Sequence, residues 1–185
     1  MTPPKQFYFV TGLPRCRSAW VANYLTWGDS ICYHDAFWQT PSFAAFCEML
    51  DTTPAMHVGH ADPANLLVWE KLVKRFPNAK WIVIIRDVEE TLAACQKAFG
   101  DFSKEQLQFL IRQLGKLSEA VEPFCVNFEN LNGQSAAWFA QELGIQIPNW
   151  RGHFLNRYQV QIEPSTLKRE IVHFQSSSHW LKEAV

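Results

Sequence analysis

The sequence predicts an α/β fold: a three-layer sandwich in which a mostly parallel sheet is covered by helices on both faces. Short apolar runs alternate with stretches of helical periodicity along the whole chain. One run, Lys80 to Arg86 (KWIVIIR), is continuously apolar, the pattern of a strand buried on both faces of a parallel sheet. The third observation is size: 185 residues, 48% hydrophobic and 19% charged, suffice for one domain with a full core.

Phe7 to Thr11 (FYFVT) reads as a strand ending at Gly12, followed by a Pro/Arg/Cys/Arg/Ser loop and a helix carrying Trp20, Val21, Tyr24 and Leu25 at helical spacing. Ser30 to Tyr33 is a second strand that ends at His34-Asp35, and Pro41 to Leu50 is a helix opened by proline. Met56 to His60 is a third strand, Pro63 to Phe76 a helix stopped by Pro77, and Lys80 to Arg86 the fourth strand. Helices follow over Glu89 to Phe99 and Ser103 to Val121, the latter with Ser103 and Gln106 spaced as a capping box. Phe124 to Phe128 is the last strand, and Ser135 to Leu143 a helix closed by Gly144. The segment 148–185 is less patterned and comparatively basic (Arg151, Arg157, Lys168, Arg169), a tail expected to pack on the core or over a site within a single 1–185 domain.

Composition excludes several classes. The 17 Lys and Arg balance 18 Asp and Glu, which argues against a general nucleic-acid coat and leaves room only for a local anion pocket. No apolar run approaches the roughly 20 residues of a membrane span, and the first residues lack signal-peptide architecture. Five cysteines without a CxxC pair fit reduced thiols in a cytoplasmic protein, and neither they nor the histidines are spaced for a metal.

In an open parallel sheet, ligands bind beyond the carboxyl ends of the strands. That places Gly12 to Ser18, His34-Asp35, Gly59-His60 and Arg86-Asp87 on one rim. The first of these, within TGLPRCRSAW (Thr11 to Trp20), has the strand, turn and helix start of a P-loop, whose backbone N–H groups cradle a phosphate. Alignment to GxxxxGK[ST] puts Arg17 at the second Gly, Ser18 at the Lys and Ala19 at the magnesium-binding hydroxyl, which disfavours magnesium-dependent NTP chemistry. The positive loop is expected to lower the Cys16 thiol pKa.

The run TGLPRCRSAW resembles the phosphosulfate-binding loop of sulfotransferases, approximately (T/G)xPK/RSGTxW, with Pro14, Arg15, Cys16, Ser18 and Trp20 on the matching positions. KWIVIIRDVEETLAA (Lys80 to Ala94) is similar to the family's 3'-phosphate strand and helix, with Arg86 at the strand end. VNFENL (Val126 to Leu131) and the helix after it resemble the family's YEDL strand and FLG helix. The chain also resembles small sulfotransferase-like P-loop proteins of bacteria and phages that carry a TGLPRSRTAWLA loop and a CYHE segment. The resemblance implies a P-loop NTPase-like, sulfotransferase-type fold and transfer of a sulfuryl group from PAPS to an acceptor hydroxyl or amine, small or macromolecular. Two positions depart from the pattern: Ala94 stands where the family places a serine for the 3'-phosphate, and Arg17 replaces the loop glycine, leaving Thr91 or Arg17 for that contact.

On this reading Gly12, Leu13, Pro14, Arg15, Cys16, Arg17, Ser18, Ala19 and Arg86 bind the donor. Arg15 stabilises charge shifting to the leaving phosphate, with Arg17 as a second clamp, and Arg86 holds an anion at the sheet edge. Asp35 or His60 takes the acceptor's proton, and His34, Phe37 and Trp38 contact the acceptor. The alternatives are a P-loop kinase-like phosphotransferase acting on a small molecule or modified base, and a catalytically silent anion-binding module.

Overall fold

The computed structural model describes residues 4–131 and 133–157. Five strands, β1 (Gln6–Gly12), β2 (Ser30–Tyr33), β3 (His57–Ala61), β4 (Lys80–Ile85) and β5 (Phe124–Asn127), form one sheet in the order β2-β3-β1-β4-β5. Every pairing is parallel, so "mostly parallel" becomes wholly parallel among the described residues.

Period-two alternation sends each strand's residues to two separate cores. Tyr8, Val10, Ile82 and Ile84 pack on one face against α1 (Ser18–Leu25) and α7 (Gly133–Glu142). Phe9, Val58, Trp81 and Val83 pack on the other, with α2 (Ala36–Gln39), α3 (Phe43–Thr52), α4 (Trp69–Arg75) and α6 (Lys104–Val121) contributing. The remaining helices are α5 (Val88–Phe99) and α8 (Asn149–Arg157). Gly59 is required by this packing: a Cβ there would lie 2.0 Å from Cε2 of Tyr8, whose ring crosses the strand to bring its hydroxyl within 3.1 Å of Ser30 Oγ.

Local signals explain most boundaries. Ser103 and Gln106 form the reciprocal capping box at α6, and Ser42 caps α3. The expected helix Pro63 to Phe76 is in fact two pieces, a 3-10 turn over Pro63–Leu67 and then α4. The cause is Asn65, fully buried and donating to the carbonyls of Val10 and His60, which fixes the turn to the sheet edge instead of letting it run on. Gly144, at φ 74°, ends α7 in the left-handed conformation that favours glycine.

Of the basic tail, α8 packs on α1 and α7. Arg151 donates to the carbonyls of Asn23, Tyr24 and Thr26, supplying the C-terminal cation that α1 lacks in its own last turn. The rest of the tail lies outside the described residues.

Candidate active site

The strand order makes β1 and β4 neighbours although the chain visits β2 and β3 between them. The crevice beyond their carboxyl ends is therefore the switch point where ligands bind in such sheets. The Gly12 to Ser18 loop and Arg86 meet there. Gly12 pairs with Ile84, and a Cβ on it would lie 2.5 Å from the Ile84 carbonyl, so only glycine lets the loop leave the sheet at this point. Arg15 and Arg17 both adopt left-handed backbone, at φ 67° and 65°, a conformation non-glycine residues take at a cost and which here winds the loop onto the head of α1.

The first intrahelical bond of α1 runs from the Val21 N–H to the Arg17 carbonyl, so the amides ahead of it belong to the open helix end. Arg17 offers that end no side-chain acceptor, whereas the head of α5 is closed by its own Asp87 carboxylate, which accepts the Glu90 N–H at 2.8 Å. Of the two helix starts beside the crevice, α1 is the one left for an external anion.

Arg86 lies just beyond β4, mostly buried, with its guanidinium 4.2 Å over the Phe128 ring and 3.7 Å from Glu90. Its Nη1 donates to the Arg15 carbonyl at 2.8 Å, so it braces the loop as well as charging the crevice. Arg15 is exposed, and both arginines act on the Cys95 thiol below them, although burial still pushes that thiol up to about 11. Arg17 turns the other way, donating to the Leu131 carbonyl at 2.8 Å and stacking 5.0 Å over Trp20. Thr91 is fully buried and donates to the Asp87 carbonyl of its own helix. The Leu13 side chain is also buried, so its contribution to a ligand is its backbone. Cys16 corrects an expectation. Burial dominates the local positive charge and pushes its thiol up to about 12, so it is a packed core group beneath the loop and not a reactive thiolate.

On the β2 side, Ser18, the first residue of α1, places Oγ 3.1 Å from Nε2 of His34, and Nδ1 of His34 lies 2.8 Å from Oδ2 of Asp35. Loop head, imidazole and carboxylate thus form one chain. Asp35 has φ 56° and begins α2; both it and His34 remain partly open to solvent. Behind them is Asp62, which sequence reasoning did not single out. It is buried, its Oδ1 accepts the Ala64 N–H at 2.7 Å, and its Oδ2 lies 3.7 Å from Nε2 of His60. Burial first, with His34 opposing and Asp35 reinforcing, raises its carboxyl to about 7.

His60 and Phe37 are placed in the core and not on the rim. His60 is 0% exposed, sandwiched edge-on by Phe37 at 4.6 Å and Phe46 at 5.0 Å. Its Nδ1 donates to Asn65 Oδ1 at 2.7 Å, and desolvation lowers its pKa to about 3. A ring so enclosed reaches no acceptor. Phe37, at 1% exposure, packs on the same cluster, and Trp38 is half-buried against it. The signal that could have shown this is parity: Val58, His60 and Asp62 alternate onto one face of β3, the face that Val58 already commits to the core.

Among the described residues, no group of three or more His, Cys, Asp or Glu is placed to hold a metal ion, and no helix is long and apolar enough to cross a membrane.

A wholly parallel sheet with a glycine-led loop and an uncapped helix start at its switch point is a P-loop-like α/β fold. Residues 33–182 match the sulfotransferase domain family, and the chain belongs to that family. Its fold is similar to that of a sulfotransferase from Alicyclobacillus acidocaldarius, with a TM-score of 0.63 and 13% identity over 98% of this chain and 96% of the other. No curated protein matches the sequence. The chain is thus a transferase of the sulfotransferase type.

Proposed function

We propose that the protein moves a sulfuryl group from PAPS to an acceptor hydroxyl or amine, with the donor's 5'-phosphate seated at the head of α1. The observation that carries this is the convergence of the Gly12 to Ser18 loop and Arg86 on a helix end with no side-chain cap. The cations suit the reaction: as the bond from sulfur to the bridging oxygen breaks and the bond to the acceptor forms, negative charge moves onto the departing phosphate, where Arg15 and the loop amides are the donors at hand. Arg86 holds the loop shape and adds charge.

The acceptor's proton goes to a base on the β2 side. Asp35 is that base in our reading, because its carboxylate is at the surface and linked to the loop head through His34, whereas His60 is sealed in the core. His34 and Trp38 border the acceptor side. The 3'-phosphate contact falls to Arg86, since Thr91 bonds within α5 and the Arg17 guanidinium is turned to the Leu131 carbonyl.

The test is calorimetric titration of the reduced, EDTA-treated protein with adenosine 3',5'-bisphosphate, and with ATP with and without magnesium. The expected result is metal-independent bisphosphate binding that weakens about 100-fold in Arg86→Ala, the loss of charged hydrogen bonds worth about 1.5–3 kcal/mol. No bisphosphate binding, or preference for magnesium-ATP, overturns the reading in favour of a kinase-like enzyme or a silent module.

A further inference from the structure

We infer that anion binding at the head of α1 is coupled to proton uptake by His34, which makes His34 the positioning residue that links the donor site to the Asp35 carboxylate. The inference rests on the donor reading above and follows from counting protons along one hydrogen-bonded chain.

Asp35 Oδ2 can only accept, so the 2.8 Å contact means that Nδ1 of His34 carries a proton. In the neutral ring Nε2 is then an acceptor, and the 3.1 Å contact with Ser18 is the serine O–H donating to it. The single hydroxyl proton of Ser18 is thereby spent on the ring. A phosphate or sulfate at the helix end needs that same proton. Ser18 can turn its O–H to the anion and keep its bond to His34 only if Nε2 becomes a donor, which requires the imidazolium. Bound anion and second ring proton therefore favour each other.

The charged groups around the ring support the charged form. Asp35 lies on its own loop, and Asp62, at the end of β3 below the ring, adds charge only above about pH 7, to which burial raises its carboxyl. His60, also from β3, is held neutral by burial, and Arg17 on the α1 side directs its Nη1 to the Leu131 carbonyl. Once formed, the imidazolium keeps its Nδ1–H on Asp35 Oδ2, so the carboxylate is held in position when the donor is in place. The proton comes from solvent and returns to it when the nucleotide leaves.

The test follows the His34 ring by NMR in full-length, histidine-labelled protein from about pH 5 to about pH 9, with and without saturating adenosine 3',5'-bisphosphate. His34→Gln assigns the resonance, and wild-type signals alone suffice if that variant does not fold. The expected result is a His34 midpoint raised by about one unit when the nucleotide is bound. In Ser18→Ala, with nucleotide raised until the weakened site is saturated, the shift falls by at least half. A midpoint that stays or drops on binding, or an undiminished shift in Ser18→Ala, overturns the coupling and leaves the donor reading standing. No heat of binding for the same nucleotide in the calorimetric titration overturns the donor reading, and the coupling with it.

Discussion

Between β1 and β4 the carboxyl edge of the sheet is built from backbone and permanent charge: a glycine against the Ile84 carbonyl, two left-handed arginines, and a guanidinium bonded to the loop. Across β1, at the ends of β2 and β3, the same edge is built from groups that titrate: His34, bonded to Asp35 and Ser18, and behind them Asp62, with Nε2 of His60 3.7 Å from its carboxylate. On the proposed reading the first half seats an anion on charge that does not change with pH, and the second holds and moves a proton. A sulfuryl transferase needs both, and the fold keeps them on opposite sides of β1 with Ser18 as their common member.

The largest expected effect breaks the backbone half. In Gly12→Ala the new methyl meets a strand carbonyl, which cannot swing aside as a side chain end would, so β1 and β4 must part or the loop must leave its course. The expected outcome is loss of about 3 kcal/mol by urea denaturation, at the upper end of overpacking costs, together with loss of bisphosphate binding. A variant that unfolds at the wild-type midpoint and binds nucleotide normally shows that the close approach does not shape the site.

A second prediction concerns the titrating half. Asp62, raised to about 7, keeps its proton in the folded chain after the unfolded chain has lost it, so alone it stabilises at low pH and loses that contribution as pH rises toward 7. His60, lowered to about 3, does the reverse: its contribution is present above the ordinary histidine value and is lost as pH falls toward 3. Between roughly pH 4 and pH 6.5 the folded pair holds one proton, on Asp62, and the unfolded pair also holds one, on the histidine, so their effects cancel. Removing one partner uncovers the other. In Asp62→Asn stability should fall with acidification through this window by about 1.4 kcal/mol per pH unit, and in His60→Gln it should rise by a similar slope. Urea midpoints at a series of pH values measure both, and parallel profiles for wild type and the two variants would show that the pair is not coupled in this way.

The same division explains what could be read in the sequence. The backbone half was legible because its requirements fall on consecutive residues: an apolar strand, then Gly12, then the loop, with Arg86 ending the most apolar run. Caps written locally were legible too, as at Ser103 and Gln106. The titrating half was not, because it depends on which residues three strands bring level. Asp35 follows one short strand and His60 sits near the end of another; beyond the parity with Val58, it is the pairing of Tyr33 with His60, and the Phe37 and Phe46 rings from α2 and α3, that show one to be open and the other enclosed. Asp62 was hidden as an ordinary residue before Pro63, and the break before α4 is set by Asn65 bonding to β1, some 55 positions away.

The smallest expected effect lies at the boundary between the halves, beneath the loop. A cysteine beside an arginine-rich helix start invites the inference of a reactive thiolate, since local positive charge favours the anion. Here Arg86 does act in that direction on Cys16, yet complete burial outweighs it. Desolvation penalises the charged form, and the side chain has no solvent face for an alkylating reagent to approach. Cys125, on the edge strand β5, is the exposed cysteine. Brief treatment of the native protein with iodoacetamide should therefore modify Cys125 ahead of Cys16 and leave bisphosphate affinity within about twofold, a change of under 0.5 kcal/mol. Peptide mass mapping reads the site. Rapid modification of Cys16 that bound nucleotide prevents would mean that the loop opens far more readily than its packing implies, and that the pH-insensitive half of the edge carries a titrating group after all.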